Sequence, residues 1–547
     1  MGKIVIIGGN KMKKLRGKLL KFTISLLLVC SMLTSFSISV LAANNNIGDK
    51  EPPIILLPGI MGSNLYADEE CKTAVWALGV DLNPFSEKSF YKLGKNIEIS
   101  KPIYVKNGRD NAKSSVWKRE YGAACVYKKL MDKLCKEFPN REIYLFSYDF
   151  RQSNEKSAKE LRDFIDNTIK ADSVDIISHS MGGNVVANYA KKDSSKIHKF
   201  ISLAAPLEGA PKIINAVLEN SVIGTKWNPL DYALALFGLR KEVKAGFSSI
   251  AELFPTQNYF NSTAFKSKFK NGNSEEVRDI DYATYYKYCK SIFGSKFDDA
   301  LRVQKSIDTD NVNFFRNFSN AYFVFGVDQK TVSSVVFKDG NNLSELGVDS
   351  LIYDNNGDGT VPNSSLTLMG QLENSAAHIR CFKGVSHANI ISKDESINWI
   401  IDTLKNKNAD EGLSFVPESK SYVVMRVEAP VDVNVKKNGE TLTSEGNVST
   451  EGSFGRIDTI GQDKQVKMIA IDDDCDVKFD AKDEGKVDFT IEWYDANNNL
   501  KEKRQVKNVD ISKDAKVSPS SLNRGDNTSI LVDENNDGVI DLEAECK

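Results

Sequence analysis

VDIISHSMGGNVVANYA, residues 174–190, is the stretch on which the fold is decided. Val174 to Ile177 reads as a strand and Asn184 to Ala190 as a helix, with Ser178-His179-Ser180-Met181-Gly182-Gly183 between them. A sharp strand-to-helix turn leaves little room around its central serine, so it needs small residues two positions either side. Ser178, where glycine is commoner, and Gly182 meet that need. Such a turn presents Ser180 Oγ at the carboxyl edge of a parallel sheet. The amide of Met181, opening the new helix, then faces any oxyanion that develops there.

Outward from this turn, apolar runs of strand length alternate with segments of helical period from Pro52 to about Asn408, the pattern of βαβ units. Candidate strands are Ile54–Leu57, Ile143–Phe146, Val174–Ile177, Phe200–Ala204, Tyr322–Phe325 and Ile379–Phe382, several of them continuously apolar, as in strands covered on both faces. Leu130, Leu134 and Phe138 mark one helix, Ala158, Leu161, Ile165 and Ile169 another, and Ile397, Ile400, Ile401 and Leu404 the last. Residues 207–320 interrupt the alternation and read as a helical cap or lid over the sheet. After about residue 411 the chain becomes rich in Val, Asp, Lys, Gly and Asn. Its short strand-like runs, broken at Lys437-Asn438-Gly439 and Asp483-Glu484-Gly485, predict a sandwich-like all-β accessory domain over 411–547.

Residues 1–43 read as a secretory signal: a basic run, Lys11 to Lys21, precedes the apolar Phe22–Ala42, and cleavage is expected after Ala42 or Ala43. Met12 is the expected initiator. An uncleaved membrane anchor is the competing reading. The catalytic domain is then expected over 44–410 in a secreted or cell-surface protein. A formal charge of −2 gives no basis for bulk binding of nucleic acid. Removal of the signal leaves Cys71, Cys125, Cys135, Cys289, Cys381, Cys475 and Cys546, an odd set with no CxxC pair, compatible with one or two bridges outside the cell.

Serine hydroxyl is a poor nucleophile without a base, and histidine suits that role near neutral pH. His387 is the best placed, in a loop between the strand Ile379–Phe382 and the last helix; His378 is next. The orienting acid should fall between Ser180 and His387, where Asp328 competes with Asp354 and Asp358. In Pro58-Gly59-Ile60-Met61-Gly62-Ser63 the Ile60 amide is the expected second oxyanion donor, with Met61 the alternative. Oxygen-bearing side chains alternate at Asp354, Asn356 and Asp358, but a calcium loop there lacks its closing acid. Asp533, Asn535, Asp537 and Asp541, with Gly538 at the sixth position, fit the front of such a loop better, so Ca²⁺ is a candidate ligand of the C-terminal domain. Catalysis itself calls for no cofactor.

The set formed by Pro58–Ser63, Tyr148-Asp149-Phe150-Arg151, the Ser180 turn, Ala205-Pro206-Leu207-Glu208-Gly209 and Gly357-Asp358-Gly359-Thr360-Val361-Pro362 resembles the lecithin:cholesterol acyltransferase-like family of phospholipases and acyltransferases. The resemblance runs from about Pro53 to Leu404. It implies the α/β-hydrolase fold, Asp358 as acid, His387 as base, a lipid or other acyl-ester partner at a membrane or lipid surface, and a mobile lid or membrane-touching element around Cys71 and Trp76. The function it implies is lipid acyl-ester hydrolysis or acyl transfer through an acyl-enzyme. The alternatives are a general esterase or peptidase on the same fold and an inert adhesion or binding protein.

Overall fold

The structure is a computed structural model that describes residues 51–72, 74–76, 104–105, 108–110, 124–219, 245–271, 274–306, 312–338, 343–407, 421–444, 450–452, 454–460, 466–495 and 500–547. The signal expected over 1–43 lies outside them. Among the described residues no helix is long and apolar enough to cross a membrane.

The N-terminal α/β part contributes β1 (Ile54–Leu57), the small hairpin β2 (Leu65–Tyr66) and β3 (Ala74–Trp76), then β4 (Gly108–Asp110), β5 (Ile143–Leu145), β6 (Val174–His179) and β7 (Ile197–Leu203). After β8 (Lys266–Asn271) and β9 (Ser274–Asp279) come β10 (Ala321–Val327), β11 (Thr331–Lys338), β12 (Gly347–Asp354) and β13 (His378–Lys383). The central sheet has the order β13-β10-β7-β6-β1-β5-β4 and is parallel except for β4 at one edge. This is the α/β-hydrolase arrangement. All four residues of β1 are fully buried, because helices cover both faces of the sheet and leave no face for water. From β1 the chain passes to β5 on one side and returns to β6 on the other. Sites in such sheets form at the carboxyl ends of the strands, where the winding reverses.

The inserted segment is more than helical. Helices Tyr282–Phe293 and Lys296–Ser306 are joined by β8 and β9, which extend the β11–β12 hairpin into a sheet of order β12-β11-β8-β9. Lys266–Asn271 (KSKFKN) and Ser274–Asp279 (SEEVRD) carry little apolar alternation, so the expectation of an all-helical cap missed them. The short helix Ser248–Glu252 ties the insertion to the core: Ser249 Oγ donates to Phe150 O, and Glu252 Oε2 accepts from Asn154 N at 2.8 Å.

The C-terminal part, from Tyr422 on, is all-β. Its strands are β14 (Tyr422–Glu428), β15 (Val431–Lys437), β16 (Glu440–Thr443), β17 (Thr450–Gly452), β18 (Gly455–Ile460) and β19 (Val466–Ile471), followed by β20 (Asp476–Ala481), β21 (Gly485–Tyr494), β22 (Leu500–Ile511), β23 (Lys516–Pro519), β24 (Ser529–Asp533) and β25 (Leu542–Glu545). Two antiparallel sheets, β17-β18-β19-β14-β21-β22 and β16-β15-β20-β23-β24-β25, enclose a core that includes Val433, Ile469, Phe479, Phe489 and Ile491. The expected turn at Asn438-Gly439 joins β15 to β16 with both residues at positive φ (49° and 83°), as a tight hairpin requires. The opposite face of the first sheet is not solvated: Tyr422, Val424, Met468 and Ala470 are buried in one cluster with the N-terminal α/β part.

Burial pushes the Glu252 carboxyl up to about 7, against donors at Ser153 and Asn154. The native state therefore holds a proton that the unfolded chain releases, so this stabilisation is complete below the unfolded value and is lost as pH rises from about 4.5 to 7. Glu252→Gln is expected to flatten that part of the stability–pH curve and to melt higher than wild type at about pH 8; thermal melts across the range check it.

Candidate active site

The elements that end at one edge of the sheet bring Ser180, Asp358 and His387 together. Ser180 stands between β6 and the helix Met181–Lys192 with φ 50° and ψ −128°, a conformation that side-chain-bearing residues rarely adopt. Its amide donates to Leu203 O at 2.8 Å, which pins the turn to the neighbouring strand β7. The serine is 9% exposed.

His387 follows β13. Its Nε2 lies 2.9 Å from Ser180 Oγ, and its Nδ1 lies 2.7 Å from Asp358 Oδ2. A fully buried carboxylate only accepts, so Nδ1 carries the proton toward Asp358 and Nε2 is left to accept from the serine hydroxyl. That is the tautomer a general base needs. Asp358 Oδ1 accepts from the amides of Thr360 (3.0 Å) and Val361 (2.8 Å), and the His387 amide donates to Asp358 O at 2.8 Å. The loop carrying His387 crosses the end of β10 at Gly326, where a Cβ would fall 1.5 Å from Val385 O. No residue but glycine fits there.

The competing candidates lie elsewhere. His378 Nε2 sits 2.9 Å from Ser319 O with its ring stacked on Tyr322, and His198 Nδ1 sits 2.6 Å from Asp175 Oδ1 at the strands' opposite ends. Asp328 forms an ion pair with Lys383 at 3.5 Å. Asp354 is half-buried and accepts from the Asn356 amide at 2.8 Å; desolvation pushes its carboxyl up to about 7, against that amide and Lys330.

Gly59 to Gly62 form a tight turn, closed by Gly62 N donating to Gly59 O at 3.0 Å, with Ile60 and Met61 at its centre and Met61 at φ 62°. Gly59 packs so closely on the nucleophile that a Cβ would come within 2.9 Å of Ser180 Cβ. Its amide is already used, donating to Tyr127 Oη at 2.8 Å. Within the turn this leaves the amides of Ile60 and Met61 as the candidates for an oxyanion donor. Across the site the Met181 amide is the first of its helix, a position with no intrahelical acceptor.

Tyr127 and His179 form a support that the sequence did not disclose. His179 Nε2 lies 3.1 Å from His387 O and must donate to it, so Nδ1 is an acceptor for the Tyr127 hydroxyl at 2.8 Å. Burial first, and the neighbouring His387 second, pull the His179 imidazole down to about 3, against the hydrogen bond to the His387 carbonyl, so it stays neutral. The helical spacing of Tyr127 with Leu130 and Leu134 signals its burial, but nothing local signals its hydroxyl's partners. Trp76 also differs from expectation. It is buried, stands edge-on to Phe150 and donates to Met61 O at 2.9 Å, bracing the Gly59–Gly62 turn rather than facing a membrane.

The calcium candidates lie on the β24–β25 hairpin. Asp533 Oδ1 and Oδ2 accept from the amides of Asp537 and Gly538, Asn535 Oδ1 from that of Asp537, Asp537 Oδ1 from that of Val539 and Asp541 Oδ2 from that of Glu534. Their oxygens shape the turn. Among the described residues no group of three or more His, Cys, Asp or Glu side chains is gathered as metal ligands are.

The profile of the lecithin:cholesterol acyltransferase family matches residues 118–320, which bears out the resemblance over a stretch that holds Ser180 and ends before Asp358 and His387. No curated protein matches the chain. Solved structures similar to it include a chain of the Tle4–Tli4 complex (15% identity, 66% of this chain, 99% of that one, TM-score 0.46). Others are a bacterial membrane phospholipase A (10%, 72% and 99%, 0.30) and a meta-cleavage product hydrolase from Pseudomonas fluorescens IP01 (12%, 66% and 92%, 0.29). At these identities and TM-scores the fold stands on the sheet order and the site on its own geometry.

Tyr127→Phe leaves the buried Gly59 amide and His179 Nδ1 without the Tyr127 hydroxyl, an expected loss on the order of 1–3 kcal/mol of stability. Ester turnover is expected to fall about tenfold with KM nearly unchanged, because the turn beside Ser180 loosens; urea unfolding and steady-state kinetics check the two effects.

Proposed function

We propose that the chain is a lipid acyl-ester hydrolase or acyltransferase that works through Ser180, His387, Asp358 and an acyl-enzyme. The observation that carries the reading is the continuous hydrogen-bonded line from Ser180 Oγ through His387 to the Asp358 carboxylate. The lipid part is supported by the match to the lecithin:cholesterol acyltransferase family.

His387 Nε2 takes the Ser180 proton as Oγ attacks the ester carbonyl. The resulting oxyanion is held by the amides of Ile60 and Met181, and the imidazolium by Asp358. Collapse breaks the bond to the leaving alcohol, which receives its proton from His387. Water or a lipid alcohol then gives its proton to His387 and attacks the acyl-Ser180 carbonyl; collapse of this second adduct breaks the acyl–Oγ bond, releases the fatty acid or new ester, and Ser180 Oγ takes the proton back from His387. Hydrolysis and transfer share every step up to that attack. Export through the segment 1–43 completes the reading; N-terminal sequencing of secreted protein beginning at Ala43 or Asn44 tests it.

Ser180→Ala is expected to lower turnover of acyl esters by at least about 10⁴-fold and to abolish labelling by a fluorophosphonate while the melting curve stays cooperative. Retained turnover or labelling would remove Ser180 from the mechanism. Product analysis with labelled phospholipid, with and without an alcohol acceptor, separates hydrolase from acyltransferase.

A further inference from the structure

We infer that the C-terminal β module is part of the catalytic apparatus, with its Arg456 a positioning residue that holds the loop carrying the acid. This rests on the reading of Asp358 as the triad acid.

Arg456 lies on β18 opposite Ala470 of β19, and Ala470 belongs to the core cluster of the N-terminal α/β part. Residues paired across strands share a face, so Arg456 points across the domain boundary. It is fully buried, and its Nη1 donates to Gly359 O at 2.7 Å. Lys212 Nζ approaches the same oxygen at 3.4 Å.

Gly359 C=O and Thr360 N–H belong to one planar peptide group, and that N–H donates to Asp358 Oδ1 at 3.0 Å. A guanidinium on the carbonyl polarises the peptide and strengthens its N–H as a donor, so the module's charge reaches the carboxylate through one amide. Two further cross-domain contacts lie beside the same loop. Lys330, next to the Gln329 that bridges to Asp358, forms an ion pair with Asp472 at 2.9 Å, and Tyr422 Oη donates to Tyr353 O just before the loop begins. The acid loop is therefore held between its own domain and the module, and Arg456 sets the orientation of the group that orients His387.

A side chain that acts through Asp358 touches no substrate, so its loss lowers kcat and spares KM. In the full-length secreted chain, Arg456→Met is expected to reduce kcat for a short-chain ester by about tenfold or more per folded molecule, with KM within about twofold. Arg456→Lys, which keeps a cation but not the planar reach, recovers part of the loss. Thermal melts give the folded fraction; if Arg456→Met does not melt cooperatively, Arg456→Gln replaces it, with activity expected to fall in the order wild type, Lys, Gln. Wild-type kcat in the folded Met or Gln variant overturns the inference, as does a change confined to KM. Asp358→Asn is measured alongside. If it is inactive while the Arg456 variants are unimpaired, only this inference fails; if it is fully active, the triad reading fails with it.

Discussion

A carboxylate removed wholly from water must be met by donors on every side, and Asp358, fully buried, is such a group. Amides of Thr360 and Val361 satisfy one oxygen and the His387 ring the other, while the backbone of His387 is held to that of Asp358. Much else follows from this requirement. The loop must curl back on itself to aim its amides inward, β10 must carry a glycine, Gly326, where the His387 loop crosses, and His387 must present its other nitrogen to Ser180. The strained turn at Ser180 meets this arrangement from the neighbouring strands, pinned through Leu203 O.

A second set of partners stands behind the first. Tyr127 and His179 connect the Gly59 amide to the carbonyl of His387, so the oxyanion turn and the base loop share one hydrogen-bonded path. Trp76 braces that turn from the other side through Met61 O. Low dielectric strengthens such a path when every member is paired and makes any break in it costly. The Ser180 and His387 segments are thus braced by buried neutral partners in addition to the Asp358 carboxylate.

The parts of this arrangement differ in how legible they are in the chain. Ser180 is readable because the fold demands a strand, small residues and a helix in immediate succession, and His387 because it falls in the loop before the last helix. The acid is not readable by spacing, for a geometric reason. β11 and β12 form an excursion that leaves the end of β10 at Asp328 and returns beside it, so that Gln329 bridges to Asp358. Two aspartates distant in sequence therefore reach the same edge, and only the family motif around Gly357–Pro362 separates them. The strands of the inserted segment escape because their residues are polar on both faces, and Arg456 because an arginine in a Gly- and Asp-rich run carries no mark of its burial.

The bond between Ser180 and His387 joins residues 207 apart in sequence. Contacts of such separation form only after a large loop has closed, and a chain made from its N-terminus holds the nucleophile long before the base exists. The growing polypeptide therefore cannot form the Ser180–His387 contact until residue 387 has been made. The contact that aligns the proposed nucleophile with its base is thus a late event in the making of the chain, set by topology rather than by the turn at Ser180.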